Sequence, residues 1–79
     1  MKARIYLTLK EEVLDPQGNA VHQALLGLNF SHVESVRQGK IFDISLKHMP
    51  KIEAEEQLKA MCEKLLANTL IENYHIEFI

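Results

Sequence analysis

The sequence predicts a small α+β domain in which strands and helices alternate in the order β-α-β-α-β. Three observations predict this class: two stretches of strict apolar/polar alternation lie near the chain ends, two helical stretches are each opened by a proline, and a third strand-like stretch separates the helices. The 79 residues suffice for a single domain, 1–79. We expect a ferredoxin-like, two-layer sandwich with two helices on one face of a small, mainly antiparallel sheet.

The first strand is predicted over residues 2–10, where apolar side chains alternate with polar ones. The first helix is expected to begin at Asp15-Pro16, because the carboxylate can accept from a free amide at the helix start and proline suits the first turn. Asn29 is expected just after its end, since Asn tolerates the left-handed conformation. The predicted apolar face of this helix consists of Ala20, Val21, Ala24, Leu25 and Leu28.

Residues 33–46 allow two interpretations. A tight hairpin at Gln38-Gly39 would place Arg37 opposite Lys40, and like charges directly opposed are destabilising. Gln-Gly is also a weaker turn signal than Asn-Gly. We therefore favour one long strand, bent at Gly39, over the hairpin. Its inner face would carry Val36, Phe42, Ile44 and Leu46.

The second helix is predicted at about residues 51–67, after Met49-Pro50, and the last strand at about 70–79. The strand alternates Tyr74, Ile76 and Phe78 with more polar neighbours. The apolar face of the helix is formed by Ala54, Leu58, Met61, Cys62, Leu65 and Leu66.

Composition narrows the possible functions. Nine Lys and Arg against eleven Asp and Glu give a formal net charge of -2 with no basic stripe, so a nucleic-acid partner is not expected. No apolar run is long enough to span a membrane, and the first residues lead directly into a strand pattern without a signal peptide. The single thiol, Cys62, and the lack of an export signal indicate the cytoplasm.

The length also limits how the fold is stabilised. A domain near 60 residues buries only about 60% of the surface that its unfolded chain exposes, so the core of this chain is expected to be thin. One cysteine cannot form an intramolecular disulfide, and the four histidines are scattered without the spacing of a zinc site. Self-association is the remaining way to bury more apolar surface.

No pattern indicates a catalytic, metal or cofactor site on this chain. Cys62 lies on an apolar helix face beside Glu63, which is typical of a core residue rather than a nucleophile. A hydrolase of acyl phosphates is disfavoured, because Glu11, Glu12 and Asp15 in the loop before the first helix would repel phosphate.

Interface residues are predicted instead. If both helices cover one sheet face, the other face stays open and mixes Tyr, Ile and Arg side chains, which resembles interface composition. On the first helix Leu26 points away from the apolar face, beside His22, and Arg37 with Lys40 forms the one cationic spot. The candidate interface residues are therefore Arg4, Tyr6, Thr8, His22, Leu26, Arg37, Lys40 and Ile41.

Three segments carry a resemblance that extends over nearly the whole chain. They are residues 10–18 (KEEVLDPQG), 36–40 (VRQGK) and 62–69 (CEKLLANT). In this order and spacing they resemble the small, PurS-type subunit of phosphoribosylformylglycinamidine synthase. The resemblance implies a PurS-like fold and self-association as a dimer or tetramer.

The resemblance also implies a function. The family's enzyme converts formylglycinamide ribonucleotide to formylglycinamidine ribonucleotide in purine biosynthesis, using glutamine and ATP. A PurS-type subunit is expected to bridge a glutaminase subunit and a synthetase subunit, with ATP and Mg bound by the synthetase and no cofactor on this chain. The alternative is a stand-alone, ferredoxin-like regulatory module that binds a metabolite between protomers.

Overall fold

A computed structural model describes all residues 1–79. The central strand β1 is flanked by β2 and β3, and both pairings are antiparallel, giving the strand order β2-β1-β3. The α+β class, the element order and the antiparallel sheet are as the sequence predicts. The elements are β1 (Lys2–Leu9), α1 (Pro16–Gly27), β2 (Gly39–Ser45), α2 (Lys51–Met61), a π-helical turn (Cys62–Leu66) that continues α2, and β3 (Glu72–Phe78).

The core lies between the sheet and α2. Alternation along β1 turns Ala3, Ile5 and Leu7 to one face, where they meet Leu58 and Cys62 of the α2 segment and are almost fully buried. The inner side chains of β2 and β3 are half-buried at the margins of this cluster, as predicted. They are Phe42, Ile44, Tyr74, Ile76 and Phe78.

Helix α1 begins and ends where its capping residues predict. The Asp15 carboxylate accepts from the Gly18 amide, and Pro16 occupies the first turn. At the other end Asn29 has a φ of 73°, the left-handed conformation expected there. The Phe30 amide donates to the Leu25 carbonyl, which completes a Schellman cap.

The position of α1 differs from the expected two-helix layer. Because β1 and β2 are antiparallel neighbours, residues 10–38 leave and rejoin the sheet at the same end. We call residues 16–38 the arm; it consists of α1, the turn that follows it, and residues 33–38, which have no regular secondary structure and return beside α1. No α1 residue belongs to the core. The radius of gyration is 16.0 Å, against about 12 Å for a compact chain of this length, and the molecule is 49 Å long.

The stretch 33–46 forms neither the long bent strand nor the hairpin. Strand β2 begins at Gly39, and residues 34–38 are unpaired. Continued pairing would need an extended partner beyond Leu9, but the chain turns there, with the Val13 amide donating to the Lys10 carbonyl. Val36, expected on the inner sheet face, therefore lies beside α1, with its carbonyl close to Gly18.

The end of α2 also differs from a regular helix. The Ala67 amide donates to the Cys62 carbonyl at 2.9 Å, a π-type bond that spans five residues. The π-type turn has more residues per turn than an α-helix, so a side chain reaches the core face one residue later. Leu66 therefore packs against the core, and Leu65 is 82% exposed. Leu65 was predicted on the buried face because a regular helix would place it there.

Candidate interaction surfaces

The outer face of the sheet is open, as predicted, and carries an ordered polar network. Arg4 and Asp43 are paired across β1 and β2 at 2.7 Å, and this guanidinium holds the pKa of Asp43 below its ordinary value. The Tyr6 hydroxyl donates to Glu77 at 3.3 Å, and its ring lies 6.0 Å from His75. Ile41, directly opposite Tyr6, is 56% exposed. We call Arg4, Tyr6, Thr8 and Ile41 the outer sheet face.

The other predicted interface residues lie elsewhere. His22 and Leu26 are on the arm, where His22 Nε2 is 2.8 Å from the Val33 carbonyl oxygen. Arg37 lies at the base of the arm, and Lys40 is near the sheet edge with its ammonium 3.7 Å from Glu72. Arg37 and Lys40 therefore have separate partners rather than forming one free cationic spot.

A second uncovered surface lies on the inner side of the sheet, along β2 and the flank of α2. An apolar depression is formed there by Ile44, Ala60, Met61, Leu65 and Leu66, with Gln57 and Lys64 at its rim. We call it the apolar dish. In a complete two-layer sandwich a second helix would lie here beside α2, and α1 does not occupy the place.

The arm carries a matching uncovered surface. Val21 and Leu28 are 42% and 66% exposed, although helical periodicity places them on one face with Ala20 and Ala24. We call these four residues the apolar arm face. The opposite side of α1 packs against the returning segment, where an added Cβ at Gly18 would lie 2.5 Å from the Val36 carbonyl oxygen. Within α1 only Gly18 is buried and only His22 and Leu25 are half-buried, so most of the helix surface has no cover from its own chain.

The returning segment also has backbone amides without a partner in its own chain. The amides of residues 34–37 donate to no protein acceptor. Such a segment can pair with a strand from another chain, because each exposed N–H and C=O is a ready hydrogen-bonding partner. These amides add a polar component to the apolar surfaces of the arm.

Titratable and nucleophilic groups are not gathered into a reaction centre. Cys62 is fully buried, and burial raises the pKa of its thiol, so it is a poor nucleophile. The Tyr74 hydroxyl donates to Glu63 at 3.0 Å, and this bond raises the pKa of the tyrosine. No three His, Cys, Asp or Glu residues are placed to hold a metal ion. None of the helices has the length and apolar character needed to cross a membrane.

Comparison with known proteins gives one consistent result. The family model described as "PurS: Phosphoribosylformylglycinamidine (FGAM) synthase" matches residues 2–79. The PurS subunit from Bacillus subtilis is 45% identical over 76 residues, covering 96% of this chain and 89% of the relative. That from Synechocystis is 47% identical over 74 residues, covering 94% of this chain and 74% of the relative.

Solved structures agree with the sequence matches. A crystal structure of Bacillus subtilis PurS superposes with a TM-score of 0.86 at 45% identity, covering 96% of this chain and 94% of that one. A chain in the structure of PurLQS from Thermotoga maritima superposes with a TM-score of 0.90 at 28% identity, covering 99% and 95%. The elongated fold is therefore shared by proteins of this kind.

Proposed function

The chain belongs to the PurS family of phosphoribosylformylglycinamidine synthase subunits, and from this premise we propose that it is a non-catalytic bridging subunit. It would hold a glutaminase subunit and an ATP-dependent synthetase subunit together, so that ammonia from glutamine reaches formylglycinamide ribonucleotide. The single observation that carries the proposal is the contrast on this chain between three uncovered surfaces and the lack of a gathered set of reactive groups. The structure of PurLQS, which contains a chain of this fold, supports it.

Self-association forms the first part of the proposed assembly. The apolar arm face needs a cover that its own sheet does not supply, and the apolar dish needs a helix beside α2. In a pair of chains each arm can lie over the dish of the other, which buries both apolar surfaces at about 25 cal/mol for each Å² removed from water. The unpaired amides of residues 34–37 can then bond to the partner chain.

The outer sheet face offers a second, separate contact. It lies on the opposite side of the sheet from the apolar dish, so one chain can use both faces at once. Pairing through the arm gives a dimer, and pairing of dimers through Tyr6 and Ile41 gives a tetramer. The outward surface of α1, around Leu26, stays available for a larger partner.

The chemistry would take place on the partners. ATP and Mg are proposed to bind to the synthetase subunit. This chain would align the point where ammonia leaves the glutaminase subunit with the point where it enters the synthetase subunit. Misplacement by about 1 Å can cost roughly 100-fold in rate when two reacting centres must stay in register, so a bridging subunit can be essential without touching a reactant. The cytoplasm remains the proposed location.

Reconstitution with purified glutaminase and synthetase subunits tests the proposal. In the presence of glutamine and nucleotide, the three proteins are expected to co-elute, and omission of this chain should abolish glutamine-dependent synthesis. Free ammonia should support synthesis without this chain better than glutamine does. Equal dependence on this chain with both nitrogen sources would contradict a role in ammonia transfer and indicate direct action on the synthetase.

The Leu26→Asp variant identifies the partner surface on the arm. Leu26 is 37% exposed and makes no core contact, so the variant should stay folded while glutamine-dependent activity of the complex falls about 10-fold or more. Ile52→Asp is a matched control, because Ile52 is 71% exposed on α2. Normal glutamine-dependent activity with Leu26→Asp would contradict this placement. Saturable metabolite binding by the isolated chain would favour the regulatory-module alternative.

A further inference from the structure

The arm joins the body of the molecule through two short links at one end of the sheet. Residues 10–15 lead out from β1, and residues 37–39, at the end of the arm, lead back into β2. No core residue ties the arm to the sheet. The direction of the arm therefore depends on the contacts at these links.

One carboxylate joins the two links. Asp15 Oδ1 accepts from the Gly18 amide at 2.9 Å, which caps α1, and Asp15 Oδ2 accepts from the Gln38 amide at 2.7 Å, which belongs to the returning link. The Asp15 side chain thus makes both the bond that caps α1 and the bond that holds the returning link. The Gln38 side-chain amide adds a bond to Gln17 Oε1 at 2.9 Å.

Arg37 makes the reciprocal connection. Its Nη2 donates to the carbonyl oxygens of Lys10 at 2.9 Å and Val13 at 3.0 Å. A cationic donor on the returning link thereby satisfies two backbone acceptors of the outgoing link. Asp15 on the outgoing link thus bonds to the returning link, and Arg37 on the returning link bonds to the outgoing one. Each link therefore restrains the other.

Gly39 lets the junction close tightly. A Cβ at Gly39 would lie 2.5 Å from the Leu7 carbonyl oxygen, so this position has no room for a larger residue where the arm rejoins the sheet. The junction is thus packed by backbone contact as well as bridged by hydrogen bonds. Nothing comparable restrains the distal end of the arm, where Leu28 and Phe30 are exposed.

We propose that Asp15 and Arg37 form a clamp that holds the arm away from its own sheet, so that the apolar arm face is presented to a second copy. The inference rests on the proposed self-association. It adds a structural feature that determines whether the apolar arm face covers the apolar dish of its own chain or that of a second copy. Without the clamp, the outgoing link of six residues, with a reach of about 20 Å, would allow α1 to turn back over its own apolar dish. Such a closed monomer would compete with the dimer.

The competition has a measurable size. If loss of the clamp reduces the open fraction to about a tenth, the apparent Kd for self-association rises about 100-fold, because both chains of a pair must be open before they can exchange arms. Neither Asp15 nor Arg37 lies on the apolar arm face. Their replacement would therefore weaken self-association by changing the direction of the arm and not by removing an interface contact. Two variants test it. Asp15→Ala removes the helix cap and the bond to the Gln38 amide, whereas Arg37→Ala removes only the bonds to the Lys10 and Val13 carbonyl oxygens.

Intrachain distances between spin labels measure the direction of the arm. Labels at Ser31→Cys near the arm tip and Ser45→Cys at the far end of β2, in a Cys62→Ala background, are diluted with unlabelled protein so that one labelled chain is observed at a time. The parent protein should give one narrow, long distance. Both clamp variants should add a shorter component to the distance distribution, and sedimentation should show an apparent Kd raised about 100-fold.

Controls make the result decisive. Glu12→Ala removes an exposed carboxylate of the same link that makes no hydrogen bond or ion pair, and its distance distribution should match the parent. Fraying of α1 after loss of its cap would affect Asp15→Ala alone, so a response of Arg37→Ala is required. An unchanged distribution in Arg37→Ala would overturn the proposal, whatever Asp15→Ala shows.

Failure of the clamp can be separated from failure of the proposed assembly. A parent protein that sediments as a monomer with a long, narrow arm distance would contradict self-association, while broadening in the clamp variants would still support the clamp. A dimeric parent whose variants keep the parent distance would contradict the clamp alone.

Discussion

The body and the arm are stabilised in different ways. In the body, the sheet and α2 enclose a core in which Ile5, Leu7 and Leu58 are almost fully buried. In the arm only Gly18 is buried, and order comes from helix caps and the hydrogen bonds at its base. The body therefore depends on apolar burial within the chain, whereas the arm has local order and an apolar surface that its own chain leaves uncovered.

This difference explains how so short a chain can serve an assembly. A thin core is enough to fix the three strands and α2, since β1 is paired on both sides. Four of the exposed large apolar side chains lie on the projecting arm: Val21, Leu26, Leu28 and Phe30. The arm can thus provide a contact area that a compact domain of equal length could not.

The largest expected difference between the regions is in unfolding free energy. Leu58→Ala should destabilise the chain by about 2–5 kcal/mol, because it leaves a cavity between α2 and β1. Leu28→Ala removes the same atoms from an exposed site of the arm and should change the dilute protein by no more than about 0.5 kcal/mol. Urea titration followed by circular dichroism measures both.

The same two variants, Leu58→Ala and Leu28→Ala, also distinguish burial within one chain from burial between chains. Repeating the titrations at a hundredfold higher protein concentration should reveal a cost for Leu28→Ala, because the dimer then contributes to stability. The cost of Leu58→Ala should change little. A concentration-independent loss of several kcal/mol for Leu28→Ala would mean that the arm packs on its own body.

Self-association provides the next largest effect. Leu28→Asp places a charge on the apolar arm face and loses the burial of one leucine from each chain of the dimer. Because Leu28 is already about one-third buried, each loss is about 1.5 kcal/mol, and the two together correspond to a roughly 150-fold weaker dimer. Sedimentation should show a lighter species, while the far-ultraviolet circular dichroism stays that of the parent. Leu14→Asp is the control, since Leu14 is 87% exposed outside the apolar arm face.

Local signals in the sequence were sufficient for the elements but not for the placement of the arm. Asp15, Pro16 and Asn29 act within a few residues of themselves, so both ends of α1 could be predicted. The apolar face of α1 shows that the helix must be covered, but periodicity does not distinguish a cover from the same chain and a cover from another.

Two other details had no sequence signal. The π-helical turn moves Leu65 from the expected core face to the apolar dish, and nothing in residues 62–66 distinguishes this turn from a regular helix. The unpaired state of residues 33–38 depends on the turn after β1, which is distant in sequence. Of the predicted interface residues, Arg4, Tyr6, Thr8 and Ile41 do share one face, because strict alternation fixes the side of a strand.

The outer sheet face should respond less than the arm. Ile41→Asp, or Tyr6→Asp, is expected to convert a tetramer to a dimer without dissociating the dimer, since this face lies opposite the apolar dish. Light scattering that gives half the parent mass would confirm two separate contacts. Loss of all association by Ile41→Asp would instead place the first contact on the sheet, and an unchanged mass would exclude this face from self-association.

The smallest expected effect is the acid response at the base of the arm. The Gln38 and Gly18 amides lower the pKa of Asp15 from its ordinary 3.8, so the bridge should be fully present above pH 3.8 and be lost as the pH falls through the lower folded-state value. The Gln38 amide resonance should therefore shift with a midpoint below pH 3.8, and Asp15→Asn should abolish that shift. Amides of β1 should not follow it at that midpoint, because they bond within the sheet. A midpoint above pH 3.8 would contradict the bridge, whereas loss of the Gln38 signal before those of β1 would indicate that the arm detaches while the body still holds its core.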